Sequence, residues 1–517
     1  MADTATAPAV GDSGTDGLLD LSRQRLSQAT ERAPSRSERW MRYAGLPLGI
    51  LAFLALYYMP TPTGLTGAGQ TVIACFALAL IWWITEPIPT HLTSLVLMAL
   101  LVFFNGWGEE SVLQTLGYSV IWLNILAFIL ASMLVKTNLA KRMALALIVR
   151  WGHSAWQILL ALFALNLLLA AFIPATAARA AMMLPVLMVV ASIYGASSER
   201  PTNFGRNLFL QNVQAVDFGS SAYMTGSNAN IIAVAFILSM AGERVYYTDW
   251  LFANLPVVVL AMFISWYIGP RLIFKLRPED RRPVVSGGLE QLQEKLREMG
   301  PVSTAEKKAM VIFGLVIALW VTDRLHMRMF GFEITAVMAA FLGAVIALTP
   351  KIGLLKWSEA DIPWHLMLFS AGAYAGGLAL NDSGAARWLV GSLFDRLNIG
   401  PGVGFWPVYC VVIVVNMFSH IFFTSKTMRT LIFIPFVIAI AQTLGFRPLA
   451  LALPAAFTID WVITLPINAK PNVIQFSSGQ YSVLDSLKYG LVMTAVGALL
   501  LIVAGFTWFR LLGITPG

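Results

Sequence analysis

Apolar runs of about 20 residues recur from residue 45 to residue 510, each long enough to cross ~30 Å of hydrocarbon. No soluble fold hides that much apolar surface: 58% of the residues are hydrophobic, 12% are charged, and the mean hydropathy is +0.72. The pattern predicts an all-α integral membrane protein with about 11 transmembrane helices. A net charge of +8 would suggest nucleic acid in a soluble chain, but here Lys and Arg gather in the loops, as topology signals do, and no nucleic-acid partner is expected. Cys75 and Cys410 each sit in an apolar segment without metal or disulfide spacing, so they read as core residues.

Taken in order, residues 1–42 are rich in Ala, Thr, Ser and Gly and lack the apolar core of a signal peptide, which predicts a disordered tail. Six arginines between Arg23 and Arg42 precede the first span and predict a cytoplasmic N-terminus, in a cell (inner) membrane. Residues 43–275 form a first membrane repeat, with scaffold spans in 43–106 and a hairpin with broken helices in 119–240. The hairpin is expected at Ile121–Leu134, where an apolar segment only 14 residues long is too short to cross. Residues 276–308 are the long charged stretch inside the fold and read as a cytoplasmic linker carrying a surface helix at 288–298. A second repeat fills 309–517, with a hairpin at 362–384 and broken helices within 405–475.

The chemistry is expected where apolar sequence is interrupted. Ser425-Lys426-Thr427-Met428-Arg429-Thr430 lies between Val411-Val412-Ile413-Val414-Val415 and Leu431-Ile432-Phe433-Ile434. A charge near the bilayer centre costs ~2.5 to ~10 kcal/mol, so groups placed there face a polar pathway. Similar breaks occur at Ala175-Thr176-Ala177-Ala178-Arg179, at Thr225-Gly226-Ser227-Asn228-Ala229-Asn230 and at Ala469-Lys470-Pro471-Asn472. These breaks pair up along the chain. Trp364 follows Trp122 by 242 residues, Ser425 follows Ala175 by 250, and Asn472 follows Asn230 by 242. Asp217 and Asp460 fit the same scheme, 13 and 12 residues before Asn230 and Asn472.

Repeated halves with interrupted apolar segments point to a secondary transporter whose site lies between the repeats. Broken helices leave free N–H groups carrying a partial positive charge, which suits carboxylate or phosphate. The expected anion-binding residues are Thr176, Arg179, Thr225, Asn228, Asn230, Ser425, Lys426, Thr427, Lys470 and Asn472. Asp217, Asp460 and His420 are read as possible proton or counter-ion groups; for Lys426 and Lys470 the plainer alternatives are snorkelling or pairing with Asp460. No catalytic constellation, metal cluster or cofactor motif is expected.

Several of these motifs resemble the divalent anion/sodium symporter family of dicarboxylate, citrate and sulfate transporters. Trp83-Ile84-Thr85-Glu86-Pro87-Ile88-Pro89 resembles its Trp-x-Thr-Glu-Ala-x-Pro signature, and Leu139-Ala140-Lys141-Arg142-Met143-Ala144-Leu145 its first hairpin exit. Pro466 to Gly479 looks like the second Pro-Asn loop. The family's two Ser-Asn-Thr motifs, which hold substrate and sodium, are altered here to Ala175-Thr176-Ala177 and Ser425-Lys426-Thr427. The Arg179 that follows, and His420 before the second motif, are similar to the citrate and oxoglutarate/malate exchanger branch. The resemblance implies two inverted repeats, each with a re-entrant hairpin, and a homodimer working as an elevator. It also implies sodium-independent exchange or proton coupling, because a Lys stands where an Asn would bind sodium. Sodium-coupled symport and cation/proton antiport through Asp217 and Asp460 are the alternatives, and a membrane enzyme is the least favoured.

Overall fold

The computed structural model describes residues 36–284, 288–396, 402–423 and 425–516. Most of the expected tail, residues 1–35, lies outside the described residues, as does Thr424. Arg36 already begins the first helix, Arg36–Tyr58, so this helix starts seven residues before the expected boundary. The described residues contain helices and loops and no strand. Among the described residues eight helices are long and apolar enough to cross a membrane, or nine if Thr304–Val321 and Asp323–Phe330, bent by 63°, count as one span. The helices Thr90–Phe103, Asn228–Ala241, Ala336–Leu348 and Pro448–Thr458 are apolar but shorter.

Burial separates the lining from the frame. In Arg39–Tyr58 only 17% of the apolar window is buried, and Leu51, Val311 and Leu499 turn more than half their surface outward, as lipid-facing side chains do. In Glu109–Lys136 78% of the apolar window is buried, and it runs through the interior. This corrects the expected hairpin at Ile121–Leu134: the short apolar run is the core of a 28-residue span, because helical turns over Glu109–Gly117 extend it. Its counterpart at 362–384 is likewise one helix, Trp364–Asp382.

The two halves are tied on the loop side. Ser303 and Glu306 form a capping box at the start of Thr304–Val321. Glu306 also pairs with Arg142 at 2.5 Å, and Arg142 donates to the carbonyls of Met299 and Gly300. The Leu-Ala-Lys-Arg exit motif therefore anchors the linker, whose surface helix is Gly288–Glu298.

The fold-backs lie at other breaks. Ala155–Phe172 is followed after three residues by Thr176–Ile193, and Phe405–Ser419 after the turn at His420–Phe422 by Lys426–Thr443. Arg179 donates to the carbonyl of Asn166 and Arg429 to that of Asn416, each thirteen residues earlier. Along one continuous helix thirteen residues span about 20 Å, beyond the reach of an arginine. The second helix of each pair must therefore turn back beside the first.

Candidate functional site

Both hairpins are closed by the same clamp. Arg179 is fully buried and donates to the carbonyls of Asn166, Val216 and Gly226 and to Ser220 Oγ. Arg429, also buried, donates to the carbonyls of Asn416 and Ile459 and to Ser419 Oγ. Asn416 follows Asn166 by 250 residues, as Arg429 follows Arg179, and Ile459 follows Val216 by 243. A buried guanidinium is tolerated only when its donors are met, and helix ends supply unmet carbonyls. Arg179, expected as an anion ligand, spends its donors on the fold, with only Nε unmatched.

A second clamp holds the loops at the other breaks. Asn230 donates to the carbonyls of Ser220 and Tyr223, both at 3.0 Å, and Asn472 to that of Val462 at 2.8 Å. Each reaches ten residues back. The loop beneath Asn230 is tight: a Cβ on Gly226 would lie 2.1 Å from the Ser220 carbonyl oxygen, so only glycine fits. Asn230 and Asn472 thus shape the breaks with their amide nitrogens, and their Oδ1 atoms are buried without a partner.

Equivalent residues of the two halves meet face to face. Phe218 stacks on Trp461, 243 positions later, with ring centroids 4.1 Å apart. Self-apposed equivalents mark a local two-fold axis. Beside it Lys426 Nζ lies 2.5 Å from Asp217 Oδ1 and 3.4 Å from Asp460 Oδ1, with both carboxylates fully buried and the lysine 8% exposed. Ser227 Oγ donates to Asp460 Oδ2 at 2.7 Å. Trp461 Nε1 donates to Ser221 Oγ, while Trp250 and Asn254 donate to the Ser221 carbonyl, which fixes the floor of the site. Three buried cations, Lys426, Arg179 and Arg429, face two buried carboxylates, so the junction carries one net positive charge.

Two pairs of helix N-termini converge around this axis. Asn228–Ala241 lies alongside Lys426–Thr443, with Gln442 donating to the Met240 carbonyl near their shared C-terminal ends. Both helices start with serine caps: Ser227 Oγ accepts from Asn230 N and Ser425 Oγ from Met428 N. Thr176–Ile193 lies alongside Lys470–Phe476, with Gln475 donating to the Ala180 carbonyl. Their caps are Ala175 and Ala469, which have no side-chain acceptor to offer.

The remaining expected residues scatter. Thr176, Ser425 and Thr427 are half-buried at the helix starts, Thr225 is buried, and Lys470 is exposed at the first turn of its helix. Asn228 points to its neighbours, accepting from Asn124 and donating to Ser370 at 3.3 Å. His420 is buried in the hairpin turn between the Met417 carbonyl and Thr464 Oγ1, so it braces the turn. Ser220, Ser227, Asn166, Asn416 and Arg429 were not among the expected site residues. A visible signal existed for three of them, because Asn and Arg recur at one offset of 250. Among the described residues no group of three or more His, Cys, Asp or Glu side chains is placed to hold a metal ion.

Comparison with known proteins follows the same lines. Residues 40–515 match the family described as the sodium:sulfate symporter transmembrane region. A membrane protein of Cupriavidus necator is 27% identical over 508 residues, covering 94% of this chain and 95% of that one. A sodium-dependent dicarboxylate transporter, SdcS, of Staphylococcus saprophyticus is 28% identical over 455 residues, covering 85% and 86% of the two chains. SdcS of Staphylococcus aureus (strain NCTC 8325) is 28% identical over 481 residues, 89% of each. Among solved structures, the Alcanivorax borkumensis YdaH transporter, at 14% identity, shares the fold with a TM-score of 0.52 over 92% of this chain and 98% of its own. With the family pattern spanning all but the ends of the sequence, the chain belongs to the sodium:sulfate symporter family of divalent anion transporters.

Proposed function

We propose that this protein carries di- or tricarboxylates, or related divalent anions, by an elevator motion and without sodium, by anion exchange or with protons. It works as a homodimer in the inner membrane with its N-terminus in the cytoplasm. The first spans and Thr304–Leu348 form the scaffold, and the hairpins with the broken helices move. Transport rather than catalysis follows from the family. The observation that carries the sodium-independent reading is the Lys426 ammonium seated between Asp217 and Asp460. A tethered cation there supplies the charge that a bound sodium would bring. The anion is held by the helix N-termini with Thr176, Ser425, Thr427 and Asn228, and by Lys470 at the rim. Arg179 acts on it through the field of its charge.

Sodium-coupled symport is the second reading. The partnerless buried oxygens Asn230 Oδ1 and Asn472 Oδ1 favour it, since a hard cation takes such oxygens, and so do the relatives named as sodium-dependent.

Uptake of labelled dicarboxylates into proteoliposomes separates the two. External sodium or choline is crossed with a lumen that is empty or holds unlabelled substrate. Uptake that ignores sodium supports the first reading; uptake into empty vesicles driven only by a sodium gradient establishes the second. Lys426→Asn takes away the ammonium that the two buried carboxylates share and lowers the junction from one net positive charge to none, so anion affinity falls by ~10²-fold or more. Unchanged binding in this variant would remove the role given to Lys426.

A further inference from the structure

Asp217 Oδ2 is a fully buried carboxylate oxygen with no hydrogen-bond partner. Oδ1 of the same group takes the Lys426 ammonium at 2.5 Å, and Asp460 shares that ammonium at 3.4 Å while its Oδ2 is occupied by Ser227. Two carboxylates therefore divide one ammonium, and each keeps one oxygen without a hydrogen bond, Asp217 Oδ2 and Asp460 Oδ1; that of Asp460 is the one the ammonium faces at 3.4 Å. The other groups that face this pair come from several elements. Arg179 in Thr176–Ile193 and Tyr481, just before Val483–Phe506, lie within electrostatic range of Asp217, and Arg429 faces Asp460. Tyr223 faces Arg179, and Tyr489 reaches Gln214, one turn ahead of Asp217. Ala155–Phe172 brings no titratable side chain, and Lys470 stands exposed at the end of its helix.

We infer that Asp217 is a proton site that loads together with the anion: when the substrate draws Lys426 away, Asp217 takes a proton on Oδ2. The inference rests on the anion reading above and names its coupling ion. Charge balance carries it. The junction's own side chains hold one net positive charge, from Arg179, Arg429 and Lys426 against Asp217 and Asp460. A dicarboxylate dianion turns that into one net negative charge in a buried site, and a single proton restores neutrality. In the loading step the Lys426 N–H that bonded Asp217 bonds the substrate carboxylate instead. A solvent proton forms an O–H bond at Oδ2, and no covalent bond breaks. On unloading, Lys426 returns to Oδ1 and the proton leaves. Asp460 stays ionised, because Ser227 continues to donate to it.

The test is calorimetric titration of succinate into the purified full-length protein. It is run in choline, at one pH, in buffers of different ionisation enthalpy, so that the slope counts protons. Wild type is expected to take up about one proton per succinate bound. Asp217→Asn is expected to bring the count to zero and Asp217→Glu to restore it. Binding by wild type with no proton taken up overturns this inference and leaves the anion reading standing. Absence of binding by succinate, citrate and sulfate overturns both. A full proton count in Asp217→Asn places the proton elsewhere and also overturns it. If Asp217→Asn does not fold, the wild-type count still decides.

Discussion

The break at Ser425-Lys426 and its repeat partner at Ala175-Thr176 are built on the same frame and finished differently. Each opens a helix after a fold-back, and each is clamped by an arginine to a carbonyl thirteen residues before it. In one the cap is Ser425 and the first helical residue is a buried lysine; in the other they are Ala175 and a half-buried threonine. The loops opposite show the same exchange, with Ser227 capping one helix where Ala469 begins the other. Duplication preserved the groups that satisfy backbone carbonyls, because leaving those unmet in an apolar interior destabilises either half. Groups that face the junction were free to diverge, and one side acquired a permanent cation while the other kept unmasked helix N–H groups.

The shared frame is open to the harshest test. Arg179→Met and Arg429→Met each remove the donors to two or three buried carbonyls and take one of the three buried cations from the junction. Both should cost ~3–5 kcal/mol and lower the thermal midpoint in detergent to a similar extent. If one variant unfolds while the other keeps the wild-type midpoint, the two clamps are not equivalent and the comparison breaks. The divergence is sharpened by a milder pair. Ser227→Ala removes an N-cap and the hydrogen bond to Asp460, an expected loss of about 1–2 kcal/mol. The mirror change Ala469→Ser adds a cap acceptor to a helix of only seven residues and should change stability by no more than about 0.5 kcal/mol. Equal and opposite shifts in the two variants would mean that the caps are interchangeable.

The smallest effect lies at the periphery, where the halves touch without symmetry. Lys136, at the end of Glu109–Lys136, bonds Glu359 at 2.6 Å and holds this exposed carboxyl below its ordinary value. A carboxyl lowered on folding contributes stability above its unfolded pKa of about 4.3 and loses it as the pH falls through the lower folded value. Glu359→Gln should therefore lower stability slightly at pH 7, by less than about 1 kcal/mol, and by less still as the pH approaches 3. A difference that grows on acidification would contradict the assigned sign.

Much of this was legible in the chain. Length and spacing of the apolar runs put scaffold spans within 43–106, where Gly67–Thr85 and Thr90–Phe103 lie, and the recurrence of breaks pointed to the duplication. The fold-backs were misplaced because an apolar segment 14 residues long looks short until polar turns at Glu109–Gly117 prove to be helical. Arg179 was read as a ligand for a related reason. Sequence shows that a charge is buried but not which carbonyls lie within reach.

Hydropathy and spacing by themselves determined the membrane class, most of the spans and the repeat, since these depend on what each segment must do with its own backbone, and the motifs carried the resemblance to the family. Only the tertiary structure decided which polar groups meet. Partners such as Lys426 with Asp217, Ser227 with Asp460 and Asn228 with Asn124 are separated by 209, 233 and 104 residues. Their pairing depends on how two halves pack across an axis, and a hydrogen bond is lost within an ångström of misplacement.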